Sequence, residues 1–306
     1  MSNEVNINAI LQKDFGFAAF KEGQKAIIEA IIRGRDVLAV MPTGAGKTLC
    51  FQVPALALAG TTVVISPLIS LMKDQVDSLS VMGVEAAFIN SSLPPEEMRR
   101  IMAKTRLGAF KLIYVSPERL ELDSFRDLLA KLDIALVAVD EAHCISQWGH
   151  DFRPSYRNIS SMIARLPQRP TIAAFTATAT PQVKNDITTM LDLRQPYSLV
   201  TGFDRANLYF EVEKPAAKFV YLTGFLQQHG DASGIIYCAT RKTVDSISEK
   251  LNALGFPCTR YHAGLTEEER AENQDAFIND RVPIIAATVA FGMGIDKSNI
   301  RYVLQS

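Results

Sequence analysis

Six short apolar runs recur across the first half of the chain: Asp36–Val40, Thr62–Ser66, Glu85–Asn90, Lys111–Val115, Ile134–Asp140 and Thr171–Thr176. Helix-length stretches separate them. A strand that is apolar along its length, rather than alternating, is buried on both faces, and crossover helices supply the cover. The pattern confines the chain to an α/β architecture built on a parallel sheet. Pro67–Val81 and Pro94–Thr105 read as helices of this kind. Thr180-Pro181 reads as an N-cap followed by proline in the first turn. The alternation pauses at Thr201-Gly202-Phe203-Asp204-Arg205-Ala206-Asn207. It resumes with strand Gly234–Cys238, helix Lys242–Leu254, strand Pro257–Tyr261, a helix from Thr266, and strands Pro283–Ala287 and Ile300–Leu304. Thr266 with Glu269 three residues on fits a capping box. Two α/β domains are expected, residues 1–205 and 206–306, joined around 201–206. No repeat or low-complexity tract is visible.

Bulk properties narrow the functional classes. The 306 residues are 48% apolar and 21% charged, an ordinary globular balance with length for two domains. The net charge of −1 provides no global field for nucleic acid, so any such contact must come from local patches and stacking. Cys50, Cys144, Cys238 and Cys258 are scattered without a CxxC pair, which argues against a zinc site and a disulfide framework. No signal pattern opens the chain and no apolar run reaches membrane-spanning length. A cytoplasmic protein without membrane contact is expected. The oligomeric state is open, a monomer being the simplest case.

Val37-Leu38-Ala39-Val40 leads into Met41-Pro42-Thr43-Gly44-Ala45-Gly46-Lys47-Thr48 and then a helical stretch. Strand, glycine-bearing loop and helix in this order turn backbone N–H groups toward phosphate oxygens, with the positive helix end behind them. Thr43 to Gly46 would cradle phosphate, Lys47 would reach the β- and γ-phosphates, and the Thr48 hydroxyl would ligate Mg²⁺. Met41 occupies the first glycine position of the strict GxxxxGK[ST] pattern, so the match is to TGxGKT.

Asp140-Glu141-Ala142-His143 follows directly on the run Ile134–Val139. A buried parallel strand delivers carboxylates in this way to its C-terminal edge. Asp140 is expected to help hold Mg²⁺, and Glu141 to orient or deprotonate an attacking water. His143 is read either as part of this site or as a satisfied structural histidine. The segment continues Cys144-Ile145-Ser146-Gln147-Trp148-Gly149-His150-Asp151-Phe152-Arg153-Pro154 and holds the chain's one tryptophan. Aromatic faces stack on any base, so Trp148 and Phe152, with Gln147, His150 and Arg153, are candidate nucleic-acid contacts. The alternative is that Trp148 and Phe152 pack into the core, since a lone tryptophan is usually well buried.

With these residues in view, the chain closely resembles the RecQ family of superfamily 2 DNA helicases. Met41–Leu56 resembles motif I, Ser66–Gln75 motif Ia, Asp140–Pro154 motif II with the family's aromatic-rich loop, and Phe175–Thr180 motif III. Ile235–Cys238 and Tyr261–Gly264 are similar to motif IV and its neighbourhood, and Ala287–Lys297 to motif V. DEAH followed by CISQWGHDFRP points to this family rather than to RNA helicases of the DEAD type. The resemblance implies two RecA-like domains of the P-loop NTPase class, ATP and Mg²⁺ as cofactors, single-stranded or forked DNA as partner, and 3′-to-5′ translocation serving recombination and repair. It makes Phe15–Gln24 the adenine-binding motif 0, with Gln24 on the adenine edge. Spacing alone makes Gln24 an ordinary helix-surface residue. Phe17 and Lys21 stand where the family often has tyrosine and arginine. A lysine cannot stack as a planar guanidinium does, so a looser adenine clamp is expected.

The resemblance also implies a motif VI, QxxGRxGRxG, whose arginine reaches the γ-phosphate. No GRxGR occurs in these 306 residues, and the second domain is read as incomplete. Two function classes follow: the motor core of a DNA helicase, or a nucleotide- and DNA-binding remnant that does not unwind. DNA-stimulated turnover separates them.

Overall fold

The buried runs form strands with ends shifted by a residue or two from the expected ones, as fraying at element ends allows. The computed structural model describes residues 6–149, 151–202, 207–289, 291 and 297–305, the Ser70 side chain excepted. The chain divides into two compact units, Met1–Arg205 and Ala206–Ser306.

The first unit carries β1 (Val37–Val40), β2 (Thr61–Ile65), β3 (Ala86–Ile89), β4 (Leu112–Val115), β5 (Ile134–Val139), β6 (Thr171–Thr176) and β7 (Tyr197–Val200). They form one seven-stranded sheet in the order β3-β4-β2-β5-β6-β1-β7, every pair parallel. Successive residues of one strand feed opposite cores. Val137 and Val139 pack on the side of helices Asp123–Leu129, Asn158–Ala164 and Pro181–Met190. Leu136 and Ala138 pack on the side of helices Gln24–Ile32, Leu49–Ala57 and Ile69–Val81. Both faces are covered, which is the arrangement the unbroken apolar strands require.

β7 was not expected. Its four residues alternate between half-buried and exposed, and it pairs with β1 alone at the sheet's edge. So short and half-polar a segment lacks the continuous apolar signal of a central strand. At the opposite sheet end from the phosphate loop, Asp36 joins separate segments. Only 2% exposed, it accepts from Arg169 Nη1 and Nη2 at 3.1 and 2.6 Å, and from the backbone N–H of Ile172 and Arg194 at 2.9 and 2.7 Å.

The second unit holds β8 (Ser233–Tyr237), β9 (Cys258–Tyr261), β10 (Ile284–Ala287) and β11 (Ile300–Gln305) in the parallel order β11-β8-β10-β9. Helices Lys218–His229, Arg241–Ala253 and Glu267–Ile278 flank it. The Thr266–Glu269 capping box is present, each side chain bonding the other residue's backbone N–H. Residues 203–206 of the expected linker and residues 290 and 292–296 of the motif V segment lie outside the described residues.

Candidate nucleotide site and nucleic-acid interface

Sheet order decides which loops meet. β2, β5, β6 and β1 lie side by side, so their C-terminal ends present Ser66, Asp140, Thr176 and the Met41–Thr48 loop in a row. Backbone bonds tie the row together. Asp140 N donates to Ile65 O at 2.8 Å, and Met41 N to Thr176 O at 2.9 Å.

The loop begins with Met41, which is fully buried in the core beside Phe51 and Phe175 and does not adopt positive φ. A side chain is therefore accommodated where the strict pattern has glycine. Gly44 and Gly46, by contrast, sit at φ 81° and 80°, where an L-residue is strained. A Cβ on Gly46 would also run into the amide of Gln24. Lys47 Nζ donates to Met41 O at 3.1 Å, folded back over its own loop.

Gln24 corrects the spacing-based expectation of a surface residue, for it is 1% exposed. Its Oε1 accepts from Lys21 N at 2.8 Å, and its Nε2 donates to Ala45 O and Gly46 O, both at 3.1 Å. Lys21 Nζ donates to Gly44 O at 2.8 Å. Motif 0 thus forms the underside of the phosphate loop, and the Gln24 amide is engaged there rather than held open toward a base edge. Phe17, in the same segment, is 52% exposed.

Asp140 Oδ1 accepts from Glu141 N at 3.0 Å, and Oδ2 faces Ser66 Oγ at 3.4 Å. Burial, with the Glu141 carboxylate beside it, pushes the Asp140 carboxyl up to about 6. Thr48, Ser66 and Asp140 line one small cavity of roughly 10 Å³, with Gln75 and Tyr114 also in its wall. Two hard oxygen donors facing a common space suit Mg²⁺, which takes one or two protein oxygens and completes its shell with water and phosphate.

Glu141 turns the chain out of the strand with φ 46° and ψ 45°, a left-handed backbone on a non-glycine residue. Such strain persists where the surroundings over-determine it, commonly at functional sites. The turn starts the short 3₁₀ segment Ala142–Ile145 and aims His143 inward. His143 is buried, with Nδ1 2.9 Å from Thr176 Oγ1 and 3.3 Å from Glu141 Oε2. The Thr176 hydroxyl donates to Thr178 O at 3.0 Å, so its oxygen accepts from the histidine and the proton is assigned to Nδ1. His143 is therefore a satisfied buried histidine that links the Glu141 carboxylate to the end of β6.

The aromatic loop leaves from the same turn. Trp148 is 74% exposed, so the core-packing alternative fails for it. Gln147 is exposed beside it. Phe152 is half-buried with the Arg157 guanidinium 5.2 Å from its ring centroid, so for this residue packing holds in part. Arg153, expected as a nucleic-acid contact, is engaged within the protein. Nε and Nη2 donate to Asp151 Oδ2, both at 3.2 Å, and Nη1 to Pro67 O at 3.3 Å. It braces the aromatic loop against the start of the motif Ia segment. His150 lies outside the described residues.

Sequence reasoning gave no individual role to Ser66 or Thr176, which contact Asp140 and His143 respectively because β2 and β6 flank β5, nor to Tyr156, whose hydroxyl donates to Asp140 O at 2.9 Å. Ser146 and Asp186 were likewise unassigned, yet they share a 2.6 Å hydrogen bond.

Comparison with known proteins agrees with this geometry. A family model described as DEAD/DEAH box helicase matches residues 21–187. The chain belongs to that family. A second model, Helicase conserved C-terminal domain, matches residues 217–306. Among curated relatives of this helicase-family chain, the ATP-dependent DNA helicase RecQ of Bacillus subtilis is 48% identical over 299 residues, 97% of this chain and 51% of the relative. The protein of the same name from Haemophilus influenzae is 45% identical over 295 residues, 96% and 48% respectively. The chain spans about half the length of these relatives. Among solved structures, Mycobacterium smegmatis helicase Lhr bound to ssDNA and AMP-PNP gives a TM-score of 0.72 at 19% identity, covering 95% of this chain and 42% of that one. Saccharomyces cerevisiae Dbp5 L327V bound to RNA and ADP BeF3 gives 0.73 at 21%, covering 98% and 79%. At such identities the likeness is one of fold. No described helix is long and apolar enough to cross a membrane.

Proposed function

We propose that this chain is the motor core of a RecQ-type ATP-dependent DNA helicase, a cytoplasmic enzyme that couples Mg²⁺-ATP hydrolysis to 3′-to-5′ movement along single-stranded or forked DNA in recombination and repair. The observation that carries the reading is one turn, Asp140–Trp148, which holds the acids at its start and an exposed tryptophan at its end.

On nucleotide binding, Lys47 exchanges the Met41 carbonyl for phosphate oxygens, and the backbone N–H groups of Thr43–Gly46 receive the remaining charge. Thr48 and Asp140 would hold Mg²⁺, which would supply charge neutralisation at the phosphates. Glu141 accepts a proton from the attacking water. The Nδ1–H of His143, 3.3 Å from Oε2, holds that carboxylate toward Thr176. Phe17 offers an apolar face to the adenine, and Lys21 with Gln24 supports the loop from beneath. Trp148 stacks on an unpaired base, Gln147 and Phe152 of the same loop and His150, a candidate from sequence alone, add further contacts to the strand, and Arg153 braces the loop.

Steady-state ATPase of the chain, without nucleic acid, with single-stranded DNA and with RNA of equal length, tests the reading. DNA stimulation well above RNA stimulation is expected. Stimulation by RNA alone would move the chain to the RNA-directed class. Nucleotide binding without turnover under any condition would leave a binding module in place of a motor.

A further inference from the structure

Trp148 is held by its backbone more than by its ring. With 74% of its surface exposed, its side chain gains little packing to set its direction. Its backbone N–H donates to Ser146 Oγ at 3.1 Å, and Gly149 N donates to Ser146 O at 3.0 Å. Gly149 lies so close to His143 O that no Cβ fits there. Ser146 is thus the hinge pin of the turn that presents the tryptophan.

Ser146 is fully buried, and its hydroxyl has one proton to give. The 2.6 Å bond to Asp186 Oδ2 takes it, since a carboxylate only accepts. The lone pairs of Oγ are then left to receive the Trp148 amide. Asp186 lies on helix Pro181–Met190, which Thr180 caps through Val183 N and which begins where the motif III segment ends. Val183 and Ile187 of that helix share a core with Ala142, Cys144 and Ile145. The other carboxylate oxygen of Asp186 accepts from Gln182 Nε2 at 3.1 Å, which fixes the carboxylate on the helix.

We propose that Asp186 is a positioning residue for Trp148: through the Ser146 hydroxyl it sets the direction of the stacking ring and ties it to the helix that follows motif III. This rests on the reading of Trp148 as the DNA-facing side chain. A shift of the helix that lengthens the Asp186–Ser146 bond frees the hydroxyl proton and releases the Trp148 amide. The ring then loses its fixed aim.

Trp148 is the chain's one tryptophan, so its emission reports this loop alone. Steady-state anisotropy of the full chain is measured without DNA for the parent, Asp186→Ala, Asp186→Asn and Ser146→Ala, followed by titration with single-stranded DNA. Loss of a hydrogen bond to a charged group should raise the half-saturating DNA concentration about tenfold in Asp186→Ala. Anisotropy should fall in Asp186→Ala and Ser146→Ala. Asp186→Asn, whose amide oxygen still accepts from Ser146, should retain most of both. The Ser146→Ala, Asp186→Ala double variant should be no worse than either single one. Binding of a fluorescent ATP analogue checks that each variant folds, and Ser146→Ala decides the matter should Asp186→Ala not fold. A folded Asp186→Ala or Ser146→Ala chain with parental anisotropy and parental DNA titration overturns the proposal. DNA that leaves parental Trp148 emission unchanged would instead defeat the DNA-surface reading, while the anisotropy without DNA still decides the role of Asp186.

Discussion

At the residue scale the site is a set of side chains held in postures that cost stability. Asp140 is the clearest case. With its carboxyl raised to about 6, the metal-free folded chain holds this proton more tightly than the unfolded chain does. Below about pH 4 the group is neutral in both states and costs nothing. Between about pH 4 and 6 the unfolded chain gives up the proton while the folded chain keeps it, and above 6 the folded chain carries the full penalty of the charge. Asp140→Asn should therefore stabilise the metal-free chain at pH 7 by about 1–2 kcal/mol after allowance for solvent screening, with the gain gone near pH 4. The same variant should lose the tightening of nucleotide binding by Mg²⁺. Thermal melts across pH check the first part; a variant no more stable than its parent at pH 7 would contradict it. Glu141 differs in role. Glu141→Gln should bind an ATP analogue normally and turn it over at least a hundredfold more slowly, on the usual scale of general-base loss. An unchanged rate would remove Glu141 from the chemistry.

At the scale of elements, the clamp at Asp36 and the row of strand ends divide the work. Asp36→Ala leaves two backbone N–H groups without their acceptor and strips the Arg169 guanidinium of its carboxylate partner, with the carbonyls of Pro170 and Asp192 remaining to it. It should cost about 3–5 kcal/mol in urea unfolding, while leaving the nucleotide site intact in the chain that stays folded. A cost below 1 kcal/mol would show that the clamp is slack. This scale also shows what was legible in the chain. The central strands announced themselves through continuous apolar runs such as Ile134–Val139, and the phosphate loop through glycines that a strand and a helix bracket. β7 was hidden because half-exposed, mixed-polarity edges carry no such signal. Ser66 and Thr176 were hidden for another reason. Their contacts with Asp140 and His143 arise from β2 and β6 lying on either side of β5, an order that no local window contains. Gln24 was misread by spacing because it faces a loop that returns from twenty residues downstream, not a helix neighbour. Trp148 went the opposite way: the usual fate of a lone tryptophan is burial, and here it is exposed.

At the scale of the whole molecule, the first unit gathers the Met41–Thr48 loop, the acids and the aromatic loop at the C-terminal ends of its strands, and the second unit holds a parallel sheet that the helicase C-terminal family model matches. Lys47→Ala should abolish nucleotide binding or turnover with the fold retained, since the Lys47 ammonium bonds Met41 O within its own loop rather than a distant element. On the function proposed above, one turn, starting at Asp140 and ending at Trp148, makes ATP turnover answer to DNA. The most direct test compares the ATPase of the parent chain and Trp148→Ala with and without single-stranded DNA. The variant should keep the parental melting temperature and the DNA-independent rate while losing most of the stimulation. Stimulation equal to that of the parent would contradict the account, and a collapse of the fold would return Trp148 to the core that its exposure denies it.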